Sequence, residues 1–326
     1  MPQTARRPTP LRTFVSALAI LAVSTICAIE VQAQPFAYAS NEKSASISVI
    51  DTARDQIVGR IDTGGSPRGI AISNDGKTLF VSDQETGTIL YIDTASRKVT
   101  DRVPVGESPE GVYISADNAL IAVAVEKKNA VVFLDAKTKK IDFEVKTKGD
   151  NPEHPVFSPD GKWVYVGAEE DDQVDIIDVQ KREQVAQTKV AARPRGTAFS
   201  PDGKFAFVAC EQADTLFKID VGTHKVVAST KAGQRSNGVT MSPDGKVVYV
   251  SNGRDGTVSF YDTATLKETK TIKVGQRPWN MALTPDGGKL YVANGRSNAI
   301  SVIDTRKGEK LTDIAVEQLP WGVVIR

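Results

Sequence analysis

Short apolar runs separated by polar turns recur along the chain, and the unit that begins at Pro278 shows their order. An Asp-Gly pair separates the first two runs, and glycine readily accepts the positive φ that a tight hairpin turn requires. The four runs of this unit are 280–284, 289–294, 299–304 and 310–316. We therefore predict four short antiparallel strands in each unit, apolar on both faces where neighbouring units cover them.

The same unit repeats along the chain with nearly constant spacing. A turn motif that contains Asp recurs six times at steps of 42 or 43 residues, beginning at Ser73, Ser115, Ser158, Ser200, Ser242 and Thr284. An apolar residue followed by Asp recurs seven times, at Asp51, Asp93, Asp135, Asp178, Asp220, Asp262 and Asp304. A third marker also recurs seven times, at Pro67, Pro109, Pro152, Pro194, Ser236, Pro278 and Pro320. Four-stranded units of about 42 residues are the size of propeller blades.

Seven such units account for the chain from residue 34 to residue 326. The units are out of phase with the chain ends, because segments 36–41, 45–51 and 56–62 supply only strands two to four of one blade. The segment 321–326 supplies the first strand of that blade. We predict an all-β, seven-bladed β-propeller of four-stranded antiparallel blades, closed by pairing the N-terminal strands with the C-terminal strand. Such pairing removes the exposed sheet edges that an open array would leave.

The first 33 residues have the composition of a secretory signal peptide. Arg6, Arg7 and Arg12 precede an apolar run from residue 14 to residue 29, and Val31-Gln-Ala33 supplies the small residues of a cleavage site. This order of basic, apolar and small residues is typical of export signals. We predict a signal peptide at 1–33, cleavage before Gln34 and a single propeller domain at 34–326.

Removal of residues 1–33 changes the formal charge from +1 to about −1, because three arginines and one glutamate are lost. A chain without a basic excess has no bulk electrostatic attraction for nucleic acid or for an anionic membrane. Cys210 is the one cysteine that remains, so an intrachain disulfide is excluded. We expect no nucleic-acid partner, no membrane association and a monomer stabilised by packing.

The second run of several blades carries a motif of an aromatic, an apolar, a small and a polar residue. Its occurrences are Tyr38-Ala-Ser-Asn41, Phe80-Val-Ser-Asp83, Tyr249-Val-Ser-Asn252 and Tyr291-Val-Ala-Asn294, and the other blades depart from the terminal Asn. Through these motifs the mature chain resembles the YVTN family of β-propeller repeat proteins. Its length, signal peptide and repeat count are similar to those of the periplasmic propellers that accompany pyrroloquinoline quinone (PQQ) dependent alcohol oxidation. The resemblance implies a periplasmic accessory protein.

One ring of positions departs from the repeat symmetry, directly after the seven Pro or Ser markers. These residues, which we name the mouth ring, are Arg68, Glu110, Glu153, Arg195, Asn237, Trp279 and Trp321. The next positions are Gly69, Gly111, His154, Gly196, Gly238, Asn280 and Gly322. Because strands alternate in direction, we expect the mouth ring at one end of the central channel, opposite the Asp-Gly turns. Crowding at the axis explains glycine at five of the second positions.

The mouth ring is a candidate site for a flat anion or for a partner protein, since guanidinium groups bind carboxylates and indoles stack on planar ligands. In the alternative interpretation, the tryptophans plug the channel while arginine pairs with glutamate across it. The candidate binding residues are Arg68, Glu110, His154, Arg195, Asn237, Trp279, Asn280 and Trp321.

Metal ions and cofactors receive little support from the sequence. His154 and His224 are the two histidines, which excludes a multi-histidine copper or zinc site. The acidic loop Glu169–Asp172 is left open as a Ca²⁺ site, although charged turns are usually solvated. PQQ-dependent dehydrogenases resemble eight-bladed propellers with adjacent cysteines at the cofactor, so we expect no PQQ and no other cofactor here. The repeated turn aspartates are expected to cap turns.

Two functions from different classes follow from these residues. The first is a periplasmic binding or docking propeller that presents its channel mouth to a small anionic ligand or to a partner, such as a quinoprotein dehydrogenase or its cytochrome. The second is a lactonase-like hydrolase of a cyclic ester, because some similar seven-bladed propellers use a channel-mouth His, Glu and Arg. His154 and Glu153 would be its catalytic residues, beside Arg68 and Arg195. The sequence has no Gly-x-Ser-x-Gly nucleophile elbow and no Cys-x-x-Cys-His heme-attachment motif, and these missing motifs favour binding.

Overall fold

The computed structural model describes residues 1–3 and 35–326. Residues 35–326 form seven four-stranded antiparallel sheets, numbered here as blades 1 to 7. The innermost strands of blades 1 to 7 are β28 (Pro320–Ile325), β4 (Pro67–Ile72), β8 (Pro109–Ile114), β12 (Val156–Phe157), β16 (Pro194–Phe199), β20 (Ser236–Met241) and β24 (Pro278–Leu283). The second strands are β1 (Phe36–Asn41), β5 (Thr78–Asp83), β9 (Leu120–Val125), β13 (Trp163–Ala168), β17 (Phe205–Cys210), β21 (Val247–Asn252) and β25 (Lys289–Asn294).

The two outer strands of each blade complete the sheets. The third strands are β2 (Ser46–Asp51), β6 (Thr88–Asp93), β10 (Ala130–Asp135), β14 (Gln173–Asp178), β18 (Thr215–Asp220), β22 (Thr257–Asp262) and β26 (Ala299–Asp304). The fourth strands are β3 (Gln56–Asp62), β7 (Lys98–Pro104), β11 (Lys140–Lys146), β15 (Glu183–Lys189), β19 (Lys225–Lys231), β23 (Glu268–Lys273) and β27 (Glu309–Ala315). Two single-turn 3₁₀ helices, Glu42–Ser44 and Glu126–Lys128, follow the second strands of blades 1 and 3.

The ring closes in blade 1, whose strands lie in the order β28-β1-β2-β3. Ala37 lies opposite Ile325 and Tyr38 opposite Val324, and the Phe36 amide donates to the Arg326 carbonyl over 2.9 Å. The predicted seven blades and the predicted pairing of the chain ends are confirmed. The predicted cleavage site and most of the predicted signal peptide lie outside the described residues. Within the described residues, no helix is long and apolar enough to cross a membrane.

The core lies between blades, which explains why the inner strands are apolar on both faces. One cluster joins Phe80 and Tyr91 of blade 2 to Val112, Val123 and Val132 of blade 3. The fourth strand of each blade is on the outside of the ring, and β7 accordingly alternates exposed with partly buried positions. Each blade therefore depends on both neighbours for its buried surface, as expected for a propeller.

The repeated Asp-Gly turns are held by the bonds that their sequence predicts. In blade 2 the Ser73 hydroxyl donates to Asp75 Oδ1 over 2.7 Å, and Asp75 Oδ1 accepts the Lys77 amide over 3.1 Å. Gly76 adopts a φ of +73°, the left-handed conformation that glycine accepts without steric cost. The same pair of bonds recurs at Asp160, Asp202, Asp244 and Asp286. The predicted turn-capping role of these aspartates is confirmed.

Glycine on the innermost strands lets neighbouring blades approach at the axis. A Cβ on Gly69 would lie 2.2 Å from the Glu110 carbonyl oxygen, and a Cβ on Gly196 would lie 2.3 Å from the Asn237 carbonyl oxygen. Both distances are far below van der Waals contact, so the predicted crowding is real. This close approach draws the mouth-ring residues, one position earlier, toward a common centre.

An apolar cavity of about 530 Å³ occupies the central channel between the innermost strands. Side chains such as Ile70, Val112 and Met281 line it, and His154, Asn280 and Trp321 lie at one end. Trp321 is 7% exposed, so its indole closes that end of the channel. Trp321 and Asn280 also line the small mouth cavity described below, so they stand between the two cavities.

Candidate functional site at the channel mouth

Two residues per blade meet at the mouth: the mouth-ring residue and the residue that follows the second strand. The second stands beside the mouth-ring residue of the next blade. Glu42 lies 3.3 Å from Arg68 and Glu169 lies 2.5 Å from Arg195, while the Gln84 amide donates to Glu110. In these three cases the pairing connects one blade to the next at the mouth.

Arg195 is the centre of an ion-pair network with three buried carboxylates. Its guanidinium reaches Glu153 (Nη1 to Oε1, 2.9 Å), Glu169 (Nη2 to Oε1, 2.5 Å) and Glu211 (Nε to Oε2, 3.2 Å). Its side chain is 16% exposed, and each of the three carboxylate side chains is 2% exposed. Burial disfavours the guanidinium charge, but the charges of Glu153 and Glu211 outweigh it and raise the pKa of Arg195. Arg195 therefore holds its proton and neutralises this part of the mouth.

Arg68 makes the second ion-pair group, on blade 2. It pairs with Glu110, which is 1% exposed, and its Nε lies 3.3 Å from Glu42 Oε2. Glu110 also accepts from the Gln84 amide. The alternative sequence interpretation, in which arginine pairs with glutamate across the mouth, therefore describes both mouth-ring arginines. Of the two tryptophans that it places in the channel, Trp321 lines the channel cavity, whereas Trp279 lines only the mouth cavity.

Three arginines that the sequence analysis did not select also face this network. Arg193, Arg235 and Arg277 stand directly before the marker position of blades 5 to 7, and all three adopt left-handed backbone conformations with φ between 56° and 67°. Glu211 is their common partner, 2.8 Å from Arg277 and 3.8 Å from Arg193 and from Arg235. Burial raises the pKa of Glu211, but the surrounding arginines, led by Arg195 and Arg277, lower it overall. Glu211 is thus a fixed anion that positions four guanidinium groups.

A cavity of about 120 Å³ lies at the centre of the mouth. It is lined by three arginines, two tryptophans and two asparagines, namely Arg68, Arg195, Arg277, Trp279, Trp321, Asn237 and Asn280. No carboxylate is among these lining residues. Six of them belong to the candidate set from the sequence, whereas Glu110 and His154 do not line this cavity and Arg277 is new.

The arginines at this cavity retain unsatisfied donors. The Nε–H groups of Arg68 and Arg195 are buried and have no hydrogen-bond acceptor among the described residues. Glu42 and Glu211 oxygens lie 3.3 and 3.2 Å from these nitrogens, but they are not aligned with the N–H direction. Each of these nitrogens therefore has a carboxylate within ion-pair distance, but its N–H group is left without a well-aligned acceptor.

Arg277 connects the cavity to the indole of Trp279. Its guanidinium carbon lies 5.8 Å from the centre of the Trp279 ring, within the range of a cation–π contact. One of its Nη groups donates to Glu211 over 2.8 Å, which leaves further N–H groups of the fork for a ligand. The Arg277 and Arg68 side chains are 22% and 27% exposed, so this side of the cavity reaches solvent.

His154 is separated from the carboxylate that would have to orient it. Its Nδ1 lies 3.2 Å from the Tyr113 hydroxyl, and its ring stacks on Trp321 at a centroid distance of 5.5 Å. Burial, with a smaller contribution from the Arg195 charge, lowers the pKa of His154 to about 3. The neighbouring Glu153 carboxylate instead pairs with Arg195. The two candidate catalytic residues are adjacent in sequence but do not interact as a base and its orienting group.

Two mouth carboxyls are hard to ionise. Burial raises the pKa of Glu110 to about 7, although the Arg68 charge opposes this shift. Burial also raises the pKa of Glu153 to about 8; the Arg195 charge opposes this shift, and the Glu110 charge adds to it. Glu126 raises both pKa values further. Carboxylates are thus in excess where blades 3 and 4 meet.

Glu153→Gln should change how stability depends on pH. The Glu153 pKa is higher in the folded than in the unfolded chain, so the folded chain binds the extra proton between about pH 4.5 and 8. The free energy of unfolding of the unsubstituted chain should therefore fall as pH rises through this interval. In Glu153→Gln this contribution is absent, and the variant should gain at least about 1.4 kcal/mol relative to the parent between pH 5 and 8.5.

Urea denaturation at several pH values, without divalent cations, measures this difference. Glu170→Gln, an exposed substitution in the neighbouring loop, is the control and should follow the parent profile. Parallel profiles for the parent and Glu153→Gln would contradict the assignment.

The acidic loop Glu169–Asp172 does not converge on one point. Glu169 turns inward to Arg193 and Arg195, whereas Asp171 accepts the Asp150 amide over 2.5 Å. Among the groups of described residues whose carboxylates lie within 4.8 Å of one another, this loop contributes Glu169 alone. The four residues therefore do not form the Ca²⁺ site that the sequence left open.

A basic groove of about 500 Å³ lies beside the mouth, between blades 6 and 7. Its cationic lining residues are Arg254, Lys273, Arg277 and Arg296, and Asp255 is its one carboxylate. Arg254 and Arg296 are exposed and form no ion pair with the described residues. Because Arg277 lines both spaces, the groove continues the positive side of the mouth cavity.

Three family models match parts of the sequence, and each covers less than half of it. A lactonase model described as a seven-bladed β-propeller matches residues 179–318. A YNCE-like β-propeller model matches residues 28–120, and a cytochrome D1 heme domain model matches residues 114–236. No curated protein matches the chain significantly. The lactonase match does not include His154, Glu153 or Arg68.

Solved structures with the same architecture are distant in sequence. Hydrazine synthase of Kuenenia stuttgartiensis superimposes with a TM-score of 0.73 at 23% identity, over 79% of this chain and 89% of that chain. A functionally unknown protein from Desulfotomaculum acetoxidans DSM 771 superimposes with a TM-score of 0.80 at 18% identity, over 89% of this chain and 98% of that chain. These likenesses concern the fold.

The heme that the third model implies does not fit the large channel cavity. Heme carries two carboxylates, yet the residues that line this cavity include no lysine or arginine. His154 lines it, but its ring is held by Tyr113 and Trp321. His224 bonds to the Tyr165 hydroxyl over 2.7 Å, in the turn between β18 and β19.

The partial matches and the ring of seven blades together show that the chain is a β-propeller protein similar to lactonase and YNCE-like propellers.

Proposed function

We propose that the mature chain is a periplasmic binding propeller that holds a small carboxylate anion in its mouth cavity. The observation that supports this best is the lining of the cavity, where three guanidinium groups, two carboxamides and two indoles meet without a carboxylate. Charge-assisted hydrogen bonds from guanidinium to carboxylate are about twice as strong as neutral ones.

The buried glutamates behind the cavity support binding rather than oppose it. Glu153, Glu169 and Glu211 hold Arg195 from three sides, so its guanidinium needs no reordering when a ligand arrives. Arg277 is similarly held between Glu211 and Trp279. Fixing the binding groups in advance removes the entropic cost that flexible arginines would carry.

The size of the cavity limits the ligand. The mouth cavity measures about 120 Å³ and reaches solvent on the side of Arg68 and Arg277. A carboxylate with a few non-hydrogen atoms fits this space, whereas an aromatic quinone with several fused rings exceeds it. Carboxylates are end products of alcohol oxidation, so this ligand class agrees with an accessory role in PQQ-dependent alcohol oxidation, which the sequence resemblance suggests.

The basic groove supports a second element of the proposal, a docked protein partner. Arg254 and Arg296 extend the positive side of the mouth onto the exposed face of blades 6 and 7. Complementary charge steers association and suppresses wrong partners. A periplasmic dehydrogenase or cytochrome with an acidic surface would be such a partner, and exchange of Arg254 and Arg296 for glutamate should then lower the association rate.

Calorimetric titration of residues 34–326 with acetate, lactate, succinate and benzoate tests the ligand. Arg277→Met should weaken binding of the preferred carboxylate at least tenfold, equivalent to about 1.4 kcal/mol, because a charged hydrogen bond is lost. Arg306→Met removes an exposed arginine that pairs with Asp286 of an Asp-Gly turn, on the opposite face, and should bind normally. Equal affinities for the parent and Arg277→Met would contradict the proposal.

The lactonase alternative is supported by the partial match at residues 179–318. A lactonase must hydrolyse its substrate, so the test compounds also include five- and six-membered lactones. Hydrolysis is measured through the proton that each opened lactone releases. Hydrolysis that His154→Ala abolishes, in a variant that retains the parent melting temperature, would favour the hydrolase. Saturable carboxylate binding without hydrolysis favours the binding protein.

A further inference from the structure

We propose a divalent-cation site at the junction of blades 3 and 4, formed by the carboxylates of Glu126, Glu153 and Glu169. Each offers one oxygen, and these three oxygens all lie within 4.8 Å of one another. Ca²⁺ binds carboxylate oxygens at about 2.3–2.6 Å, so one ion can contact all three. None of the three residues lines the mouth cavity, so this site is distinct from the proposed anion site.

The buried oxygen of Glu153 is the observation that points to a ligand. Glu153 is 1% exposed, and its Oε1 lies 2.9 Å from Arg195 Nη1. Its Oε2 is buried and has no hydrogen-bond partner among the described residues. An unpaired carboxylate oxygen at this depth is costly unless a cation or a proton meets it.

The neighbouring residues orient the other two ligands. The Ser108 hydroxyl donates to Glu126 Oε2 over 2.5 Å, and the Asn151 amide donates to Glu169 Oε2 over 2.6 Å. Such bonds from a second layer of residues fix the direction of carboxylate ligands at metal sites. Glu126 is half-buried, which gives an ion a path from solvent to the buried Glu153.

The charges of the mouth are unbalanced at this junction. The network contains six carboxylates, Glu42, Glu110, Glu126, Glu153, Glu169 and Glu211, and five guanidinium groups, Arg68, Arg193, Arg195, Arg235 and Arg277. Arg235 and Arg277 pair with Glu211, away from the junction, whereas Arg193 contacts both Glu169 and Glu211. Glu110 adds a second buried oxygen without a partner, its Oε2. Among the described residues Glu126 forms no ion pair and Glu153 Oε2 has no partner, so the place where Glu126 meets Glu153 is where a bound cation would be balanced.

The donor set selects the class of ion. All the candidate ligands are carboxylate oxygens, with no nitrogen or sulfur donor among them. Oxygen-only sites suit Ca²⁺, Mg²⁺ and Mn²⁺ rather than Zn²⁺ or Cu²⁺. Ca²⁺ tolerates irregular geometry, whereas Mg²⁺ demands a near-ideal octahedron, so we expect Ca²⁺ to bind more tightly than Mg²⁺.

Calorimetric titration of EDTA-treated residues 34–326 with CaCl₂ at pH 8.5 tests the site. We expect saturable binding of one ion per chain, a higher melting temperature in Ca²⁺, and weaker binding of Mg²⁺. Glu153→Gln and, separately, Glu126→Gln should weaken Ca²⁺ binding at least tenfold. Glu170→Gln, an exposed carboxylate of the adjacent loop, should leave it unchanged.

Two results would overturn the site. The first is the absence of Ca²⁺, Mg²⁺ and Mn²⁺ binding to the parent chain, which would mean that a shared proton meets Glu153. The second is Ca²⁺ binding that Glu170→Gln abolishes and both Glu153→Gln and Glu126→Gln retain. Carboxylate binding in the presence of EDTA is scored separately, so the anion proposal stands or fails independently of the cation.

Discussion

Arg195→Met should lower the free energy of unfolding by about 3–5 kcal/mol, because it leaves buried carboxylates without their shared cation. Glu153, Glu169 and Glu211 all contact this one guanidinium, and each is 2% exposed. Methionine fills most of the volume of the arginine stem, so the loss measures charge more than packing. Urea denaturation at pH 7 of residues 34–326 gives the value.

An exposed ion pair provides the matched control for Arg195. Arg306 lies 3.0 Å from Asp286, with side-chain exposures of 71% and 63%. Solvent-exposed pairs contribute about 0–1 kcal/mol, so Arg306→Met should change the free energy of unfolding by no more than this. A loss below about 1 kcal/mol in Arg195→Met would mean that the mouth network is not a buried, mutually dependent group.

Deletion of residues 321–326 should abolish folding of the chain as a monomer. The deletion removes five of the six residues of β28, the strand that pairs with β1 and closes the ring. It also removes Val323 and Ile325 from the core between blades 1 and 7, and exposes an unpaired strand edge. We expect aggregation, or the loss of a cooperative thermal transition, by size-exclusion chromatography and calorimetry.

A circular permutant tests whether the deletion acts through the lost strand or only through a change at the chain ends, because it moves the chain ends without removing a strand. The Phe36 amide and the Arg326 carbonyl lie 2.9 Å apart, so a short linker can join residue 326 to residue 35. New ends between Gly106 and Glu107 fall in the loop between β7 and β8. This permutant keeps all 28 strands and should fold as a monomer. A stable monomer from the deletion variant would contradict the closure argument.

The fold is predictable from the sequence because the same pattern of four strands occurs in each of the seven blades. The innermost strands were the least accurate. The strand predicted at 280–284 begins at Pro278 in the structure. Proline has no backbone N–H group to donate, but its carbonyl can still accept a hydrogen bond at the first position of a strand. In blade 4 the corresponding strand shortens to Val156–Phe157, where Pro152 and Pro155 remove two donors.

The sequence predicts the mouth-ring residues, because they depart from the repeat. It does not single out the arginines that stand directly before the marker positions. The position directly before the marker also varies between blades, and it is arginine in blades 5 to 7, at Arg193, Arg235 and Arg277. Their backbone φ is positive, and a sequence pattern without glycine gives no sign of this. The contacts of His154 depend on Tyr113 and Trp321 of other blades, which no local pattern reports.

The central claim is that a small carboxylate occupies the cavity between Arg68, Arg195 and Arg277. The most direct measurement is a ¹⁹F NMR titration of residues 34–326 with trifluoroacetate, followed by displacement with acetate. We expect a saturable change in the fluorine signal that acetate reverses, that Arg277→Met abolishes and that Arg306→Met retains. An identical response from the parent chain and from Arg277→Met would contradict it.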